Sequence, residues 1–260
     1  MKIKTGIITI LVLLGGLTSC LGILCINGDG VFASEERQEA GFYEIENSTS
    51  ANVLFSVSDE YSVIVEADKN ILDYIHTSVS AGVLEIEIKG ARCIRPARTP
   101  VVYVSGPGLS RIYLSGSGDM FADTLSGERI DMANTGSGNI VVYYTSASEA
   151  GITNSGSGSI TGRHLYSDEA SVSISGTGDV IAAGELDVLT IISAGTGIMA
   201  GDDLSSNFCN ALLSGSGNVY VNVIDELVAT ITSSGNLYYT GYPDIYENIS
   251  GSGRIFNLNK

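Results

Sequence analysis

From Ala51 to Gly106 the chain alternates apolar and polar side chains in short runs. "ANVLFSVS", "YSVIVEAD", "GVLEIEIKG" and "TPVVYVSG" are rich in β-branched residues and are separated by Asp, Asn, Gly and Pro. A period of two over so few residues predicts strands that bury one face. No segment keeps a 3.6-residue period for three turns, and "KNILDYIHT" allows one helical turn at most.

Beyond Leu114 the alternation falls into register with a repeated phrase, Gly-Ser/Thr-Gly, whose first glycine stands at 116, 136, 156, 176, 195, 215 and 251, with Ser233 in the same slot of a degraded copy. Four residues after each slot comes an apolar side chain: Met120, Ile140, Ile160, Val180, Met199, Val219, Leu237 and Ile255. A second column follows thirteen or fourteen residues after the slot, at Ile130, Ala150, Ala170, Leu189, Cys209 and Val228. A third, two residues later, holds Met132, Ile152, Val172, Ile191 and Ala211. A period of about 20 residues accommodates three short strands and three corners, one rung of a parallel β-solenoid whose rungs stack about 4.8 Å apart. The glycines then mark one corner repeated, where they supply unusual backbone angles and let corners stack closely. The Ser or Thr between them offers a hydroxyl to the neighbouring rung.

Composition narrows the function classes. Across 260 residues, 44% are hydrophobic, enough for a large core, and the 32 glycines lack a collagen period. With 13 Lys+Arg against 29 Asp+Glu the net charge is −16, and no basic stripe is present to track phosphates, so nucleic acid is excluded as a partner. The acidic surface serves solubility.

The first 26 residues carry an address. Lys2 and Lys4 precede an apolar run from Gly6 to Leu17 and then "LTSC", which resembles a lipobox with Cys20 as the lipidated residue. Two alternatives stand beside it: an uncleaved membrane anchor over residues 6–26, since "LGILCI" extends the apolar run, and cleavage after Val31-Phe32-Ala33. All three place the remainder outside the cytoplasm, with the membrane met only through the N-terminal anchor. Residues 27–40 read as a polar linker and 41–260 as the folded domain.

The stretches "GFYEIENSTSANVLFSVSDEYSVIVEADKNILDYI", "GVLEIEIKG" and "VVYVSGPGLSRIYLSGSGDM", followed by the glycine repeats, resemble the head GIN domain family, known as putative auto-transporter adhesins. The resemblance covers residues 41–256. It implies a right-handed parallel β-helix on exported proteins or lipoproteins, and no catalytic residue set.

Other chemistries find little support. No Gly-x-Gly-x-x-Gly, P-loop or Gly-x-Ser-x-Gly motif occurs. Asp119, Asn139, Asp179, Asn218 and Asn236 could form a calcium column, but Ser159, Ile198 and Arg254 interrupt it, and Asp and Asn equally suit turns. His76 and His164 lack metal-ligand companions. Arg92, Arg95 and Arg98 and the Asp202-Asp203 pair belong to distant rungs, which weakens a polysaccharide-active enzyme. Neither cofactor nor metal is expected. Cys209 is expected as a buried free thiol, too many rungs from Cys93 to bridge it.

Of the 13 tyrosines, Tyr238, Tyr239, Tyr242 and Tyr246 gather where the repeat degenerates. They read either as a cap on the solenoid or, at Tyr239, Tyr242 and Tyr246, as aromatic faces for a sugar beside Asp244 and Glu247. The sequence therefore predicts an exported, non-enzymatic envelope binding or adhesion module whose partner is an envelope or host glycan or a surface protein. A β-helix lyase or hydrolase and a structural scaffold are the alternatives.

Overall fold

The computed structural model describes residues 25–90 and 93–259, so Cys20, the lipobox with most of its apolar run, and Arg92 lie outside the described residues. The N-terminal part contains strands β1 (Ile26–Asn27), β2 (Phe32–Arg37), β3 (Glu44–Asn47), β4 (Asn52–Val57), β5 (Ser62–Asp68), β6 (Ile75–Ser80), β7 (Val83–Ile88), β8 (Ile94–Arg95), β9 (Val101–Gly106) and β10 (Arg111–Leu114). The single helical turn expected near Leu72 is a 3-10 turn at Leu72–Tyr74. The repeats form β11 (Met120–Asn134), β12 (Ile140–Asn154), β13 (Ile160–Ile174), β14 (Val180–Ser193), β15 (Met199–Leu213) and β16 (Val219–Ile231). They are followed by β17 (Leu237–Thr240), β18 (Asp244–Ile249) and β19 (Ile255–Asn257).

This is an all-β solenoid with parallel rungs of about 20 residues. Between β11 and β12 the pairing covers 120–122, 124–127 and 129–134, lapsing at Asp123 and Glu128, so each rung has three short faces joined by shallow bends. The columns at Met120, Ile130 and Met132 and their equivalents point inward and are buried. One assignment shifts: Cys209 pairs with Leu227, not Val228, because the rung after Gly215 is shorter and its strand is displaced in register beyond Gly201. Leu227 is buried and Val228 only half-buried.

The Gly-Ser-Gly corner is explained by proximity rather than by backbone angle. None of these glycines has a positive φ, yet a Cβ on Gly136 would run into the carbonyl oxygen of Gly116, and one on Gly156 into that of Gly136. Backbone bonds hold the corners together, as in Ser157 N–H to the Gly136 carbonyl at 2.9 Å, while hydroxyl-to-hydroxyl bonding is seen at Ser234 and Ser216. Inside the corner, buried Asn134 accepts from Gly136 N–H at 2.9 Å and donates to the Gly138 carbonyl at 2.8 Å. Asn47 and Asn154 repeat the brace. The Asp/Asn column after the corner is a ladder between rungs: Asp119 Oδ1 accepts from Asn139 N–H at 2.8 Å, and Asn139 Oδ1 from Ser159 N–H at 2.9 Å.

Two sheets extend the solenoid at its N-terminal end. The first face continues from β11 to β4 and β9, then antiparallel to β5 and β2; the third continues from β11 to β10, β3 and β7, then antiparallel to β6. Phe42, Ile45, Val63, Val65, Ile86 and Val102 are buried in this end, in one core with the rungs.

The segment expected to be a linker, 27–40, is partly strand. β2 pairs with β5 from Phe32↔Asp68 to Arg37↔Val63, and Ala33 packs on the core. Its polar composition hid it because an edge strand needs few apolar residues. A disulfide that nothing in the sequence pattern foretells joins Cys25 to Cys93, and β1 pairs with β8 beside it. Buried Asp68 fastens this region, accepting from Gly30 N–H at 2.9 Å and Ala97 N–H at 2.8 Å. Cys209 is free and buried, as expected; burial pushes its thiol up to about 12.

Candidate functional site

Alternation dictates that each inward residue of the first face is followed by an outward one. Apart from Thr161, the outward residues of one column are again apolar or aromatic. Phe121, Val141, Thr161, Ile181, Ala200, Tyr220, Tyr238 and Phe256 follow one another strand by strand in register. At the N-terminal side the column continues through Leu54, Tyr103 and Ile64. Tyr103 and Phe121 are each 41% exposed, so this ribbon faces solvent. Farther along, Tyr220 stacks on Tyr238 at 4.7 Å and Tyr238 on Phe256 at 5.1 Å between ring centroids.

The ribbon deepens into a groove where the extension meets the rungs. Pairing of β4 with β11 ends at Phe55↔Ala122, because the rung bends at Asp123, whereas β4 and β9 stay paired to Val57↔Gly106. The extension therefore runs on past the corner and leaves a notch of about 600 Å³, within the range of small-molecule sites, which is about 300–1,000 Å³. Its floor is Ile64, Tyr103, Leu54, Phe121 and Val141. Beside the floor lie Ser62, Ser105, Ser56, Asp123, Tyr143 and Arg163. The Asp123 carboxylate accepts from Val57 N–H, 3.3 Å from each oxygen. Arg163 has no ion-pair partner among the described residues.

The three tyrosines singled out from sequence do not share one surface. Tyr239 is 8% exposed in the core of β17, its hydroxyl accepting from Asn257 at 2.9 Å, whereas Tyr242 is 87% and Tyr246 58% exposed. The groove residues escaped sequence reasoning. A signal for them existed: after Val53, Val63, Val102, Met120 and Ile140 the next residue breaks the alternation by also being apolar or aromatic.

Among the described residues, no three His, Cys, Asp or Glu are grouped to hold a metal. His164 is exposed with its ring 5.1 Å from that of Tyr143, and Arg98 lies over the Phe32 ring at 5.0 Å. On the surface, hydrogen bonds to Asp131 and Glu149 hold the Arg129 guanidinium above its ordinary value.

Stacked rungs, an N-terminal extension and an open apolar groove define a β-solenoid module. The chain belongs to the family described as putative auto-transporter adhesin, head GIN domain, whose model matches residues 41–243. Solved structures share the fold. A putative adhesin from Parabacteroides distasonis is 23% identical with a TM-score of 0.80, and one from Parabacteroides merdae is 19% identical with 0.80. A putative lipid binding protein from Parabacteroides distasonis is 25% identical with 0.72. Each match covers 90% of this chain and 99% of the other. No curated protein matches the chain.

Proposed function

We propose that this chain is an envelope adhesion and binding module, non-enzymatic, held at the membrane through lipidated Cys20 and engaging its partner through the outward apolar column of the first face. The observation carrying the binding role is that column: Leu54, Tyr103 and Phe121 stay exposed although the same strands bury their other faces fully. An exposed contiguous apolar surface costs solubility and marks an interaction site. One solved relative bears a lipid-binding name, and an apolar groove suits that role.

Lipidation at Cys20 is favoured by what the other two processing routes would destroy. Cleavage after Ala33 would cut β2 between paired residues and discard Cys25, the partner of Cys93. An uncleaved anchor through Ile26 would draw the disulfide and β1 into the bilayer. With Cys20 as the anchor, Cys25 lies five residues on, at most about 18 Å of extended chain, so the domain sits close to the membrane. The exposed rings of Tyr242 and Tyr246 offer glycan a second contact at the far end.

Two experiments test this reading. Cys20→Ala should abolish fatty-acid labelling and release the protein from the membrane fraction; a mature chain beginning at Ser34 would refute the anchor. Retention on envelope glycans and host-surface proteins should fall in Phe121→Ser, and sugar retention in Tyr242→Ala, without loss of thermal stability. Unchanged retention in both variants would refute the binding surface.

A further inference from the structure

Resting on the binding role proposed above, we infer that the groove takes a free single-chain amphiphile of the fatty-acid kind, its hydrocarbon chain lying across the strands and its carboxylate at Arg163.

The floor has the dimensions of such a chain. From Ile64 through Tyr103, Leu54 and Phe121 to Val141 there are five adjacent strands, so four steps of ~4.8 Å give roughly 19 Å, about the length of an extended sixteen-carbon acyl chain. The column is one side chain wide, which matches a linear hydrocarbon rather than a compact ring system.

The backbone argues against a peptide. Every strand under the groove is hydrogen-bonded on both sides: β5 between β2 and β9, β9 between β5 and β4, β4 between β9 and β11, and the first face of β11 between β4 and β12. Along the floor, where β4 and β11 stay paired to Phe55↔Ala122, no edge is open for strand addition, and the lining holds no Asn or Gln. A hydrocarbon on the floor gives up no hydrogen bond to water, whereas a peptide or sugar there would have to recover its own from the few polar side chains beside it.

Charge fixes the orientation. Two charged side chains line the groove, Asp123 and Arg163. The Asp123 carboxylate is engaged by the Val57 N–H, while Arg163, in a chain of net charge −16, has no ion-pair partner among the described residues. It lies at the rung end of the groove, and the Ile64 end has no charged residue in the lining. An anionic head is therefore held at Arg163 and the chain tail runs toward β5.

Titration of the full mature chain with palmitate, octanoate and hexadecyltrimethylammonium tests this. Palmitate should bind one per chain, about a hundredfold or more tighter than octanoate, because the longer chain buries more methylenes. Phe121→Asp and Arg163→Glu should each weaken palmitate by about tenfold or more, with Arg163→Lys retaining most of the affinity. In Arg163→Glu the cationic amphiphile should bind better than in the parent, a reversal that loss of structure cannot produce. Phe256→Ser, on the same column but beyond the groove, should bind palmitate as the parent does. The inference is overturned if palmitate fails to bind or if head-group preference is indifferent to Arg163. Loss of adhesion in Phe121→Ser without palmitate binding in the parent would sink this inference and leave the binding role standing. Palmitate binding with adhesion unaffected would do the reverse.

Discussion

Substituting Gly156 by alanine tests whether close approach is what requires the repeated glycine, since its presence and its absence predict opposite signs. Gly156 does not have a positive φ, so alanine can adopt its backbone angles. If nothing stood close to it, alanine would stiffen the unfolded chain and stabilise the protein by about 0.4–1 kcal/mol. The structure gives another answer: the new Cβ would overlap the carbonyl oxygen of Gly136. Restoring an ordinary carbon–oxygen contact near 3.3 Å requires the corners to part by roughly 1 Å. That oxygen accepts from Ser157 N–H at 2.9 Å and Gly158 N–H at 3.4 Å, so two backbone bonds are strained or lost at about 0.5–1.5 kcal/mol each. Added overpacking of about 1–3 kcal/mol brings the net cost to about 2–4 kcal/mol. At about 2–4 °C per kcal/mol the melting temperature should drop by about 5–15 °C. Gly162 is the control, because it is buried, lacks a positive φ and has no atom within 4 Å of where a Cβ would stand. Gly162→Ala should stabilise by about 1 kcal/mol by filling the column between Val142 and Ala182. Thermal melts by circular dichroism and urea midpoints would measure both. A neutral or stabilised Gly156→Ala would refute the close-approach explanation of the whole repeat.

Other expectations follow from buried groups. Ile140 is 0% exposed between stacked rungs, so Ile140→Asp should cost several kcal/mol and sharply lower soluble yield; a parent-like melt would break the column assignment. Opening the 68-residue Cys25–Cys93 loop with Cys93→Ala should cost about 4 kcal/mol by chain entropy, read as a lower urea midpoint that reductant no longer shifts. The Cys209 thiol ionises near 9 when unfolded and only at about 12 when folded, so its contribution is complete below pH 9 and is lost as pH rises toward 12, at ~1.4 kcal/mol per unit. Urea midpoints between pH 9 and 10.5 should therefore fall more steeply in the parent than in Cys209→Ala, and parallel slopes would contradict the burial. Asn134→Ala removes the brace on Gly136 and Gly138 and should cost about 2 kcal/mol in the same assay, whereas an unaltered midpoint would mean that the corner holds without it.

The sequence by itself determined the rung. A 20-residue period with apolar residues at fixed offsets admits few structures other than a stack of parallel β-rungs, because each rung must bury the same columns against its neighbours. Ile140, Ile160 and Val180 are legible as core for that reason, and free Cys209 with them. Where the period is lost, the pattern misleads: counting offsets puts Val228 in the column that Leu227 occupies, since a shortened rung moves the count by one.

The shape of the outer surface is legible only once the strands are stacked. Strand β2 and the Cys25–Cys93 bond depend on contacts between residues far apart in the chain, 38 positions for Gly30 and Asp68 and 68 for the two cysteines, and a polar edge strand or a pair of cysteines carries no local period to reveal them. The tyrosines show the same limit: Tyr239 and Tyr238 are neighbours in sequence, yet one is buried and the other joins the outer stack. The groove is the clearest case. Its residues come from β4, β5, β9, β11, β12 and β13, and it exists because β4 runs straight while its partner β11 bends at Asp123. Alternation along one strand says which side chains point outward. Only the stacking of strands distant in the chain turns those side chains into a surface, and only the parting of two strand directions makes that surface concave.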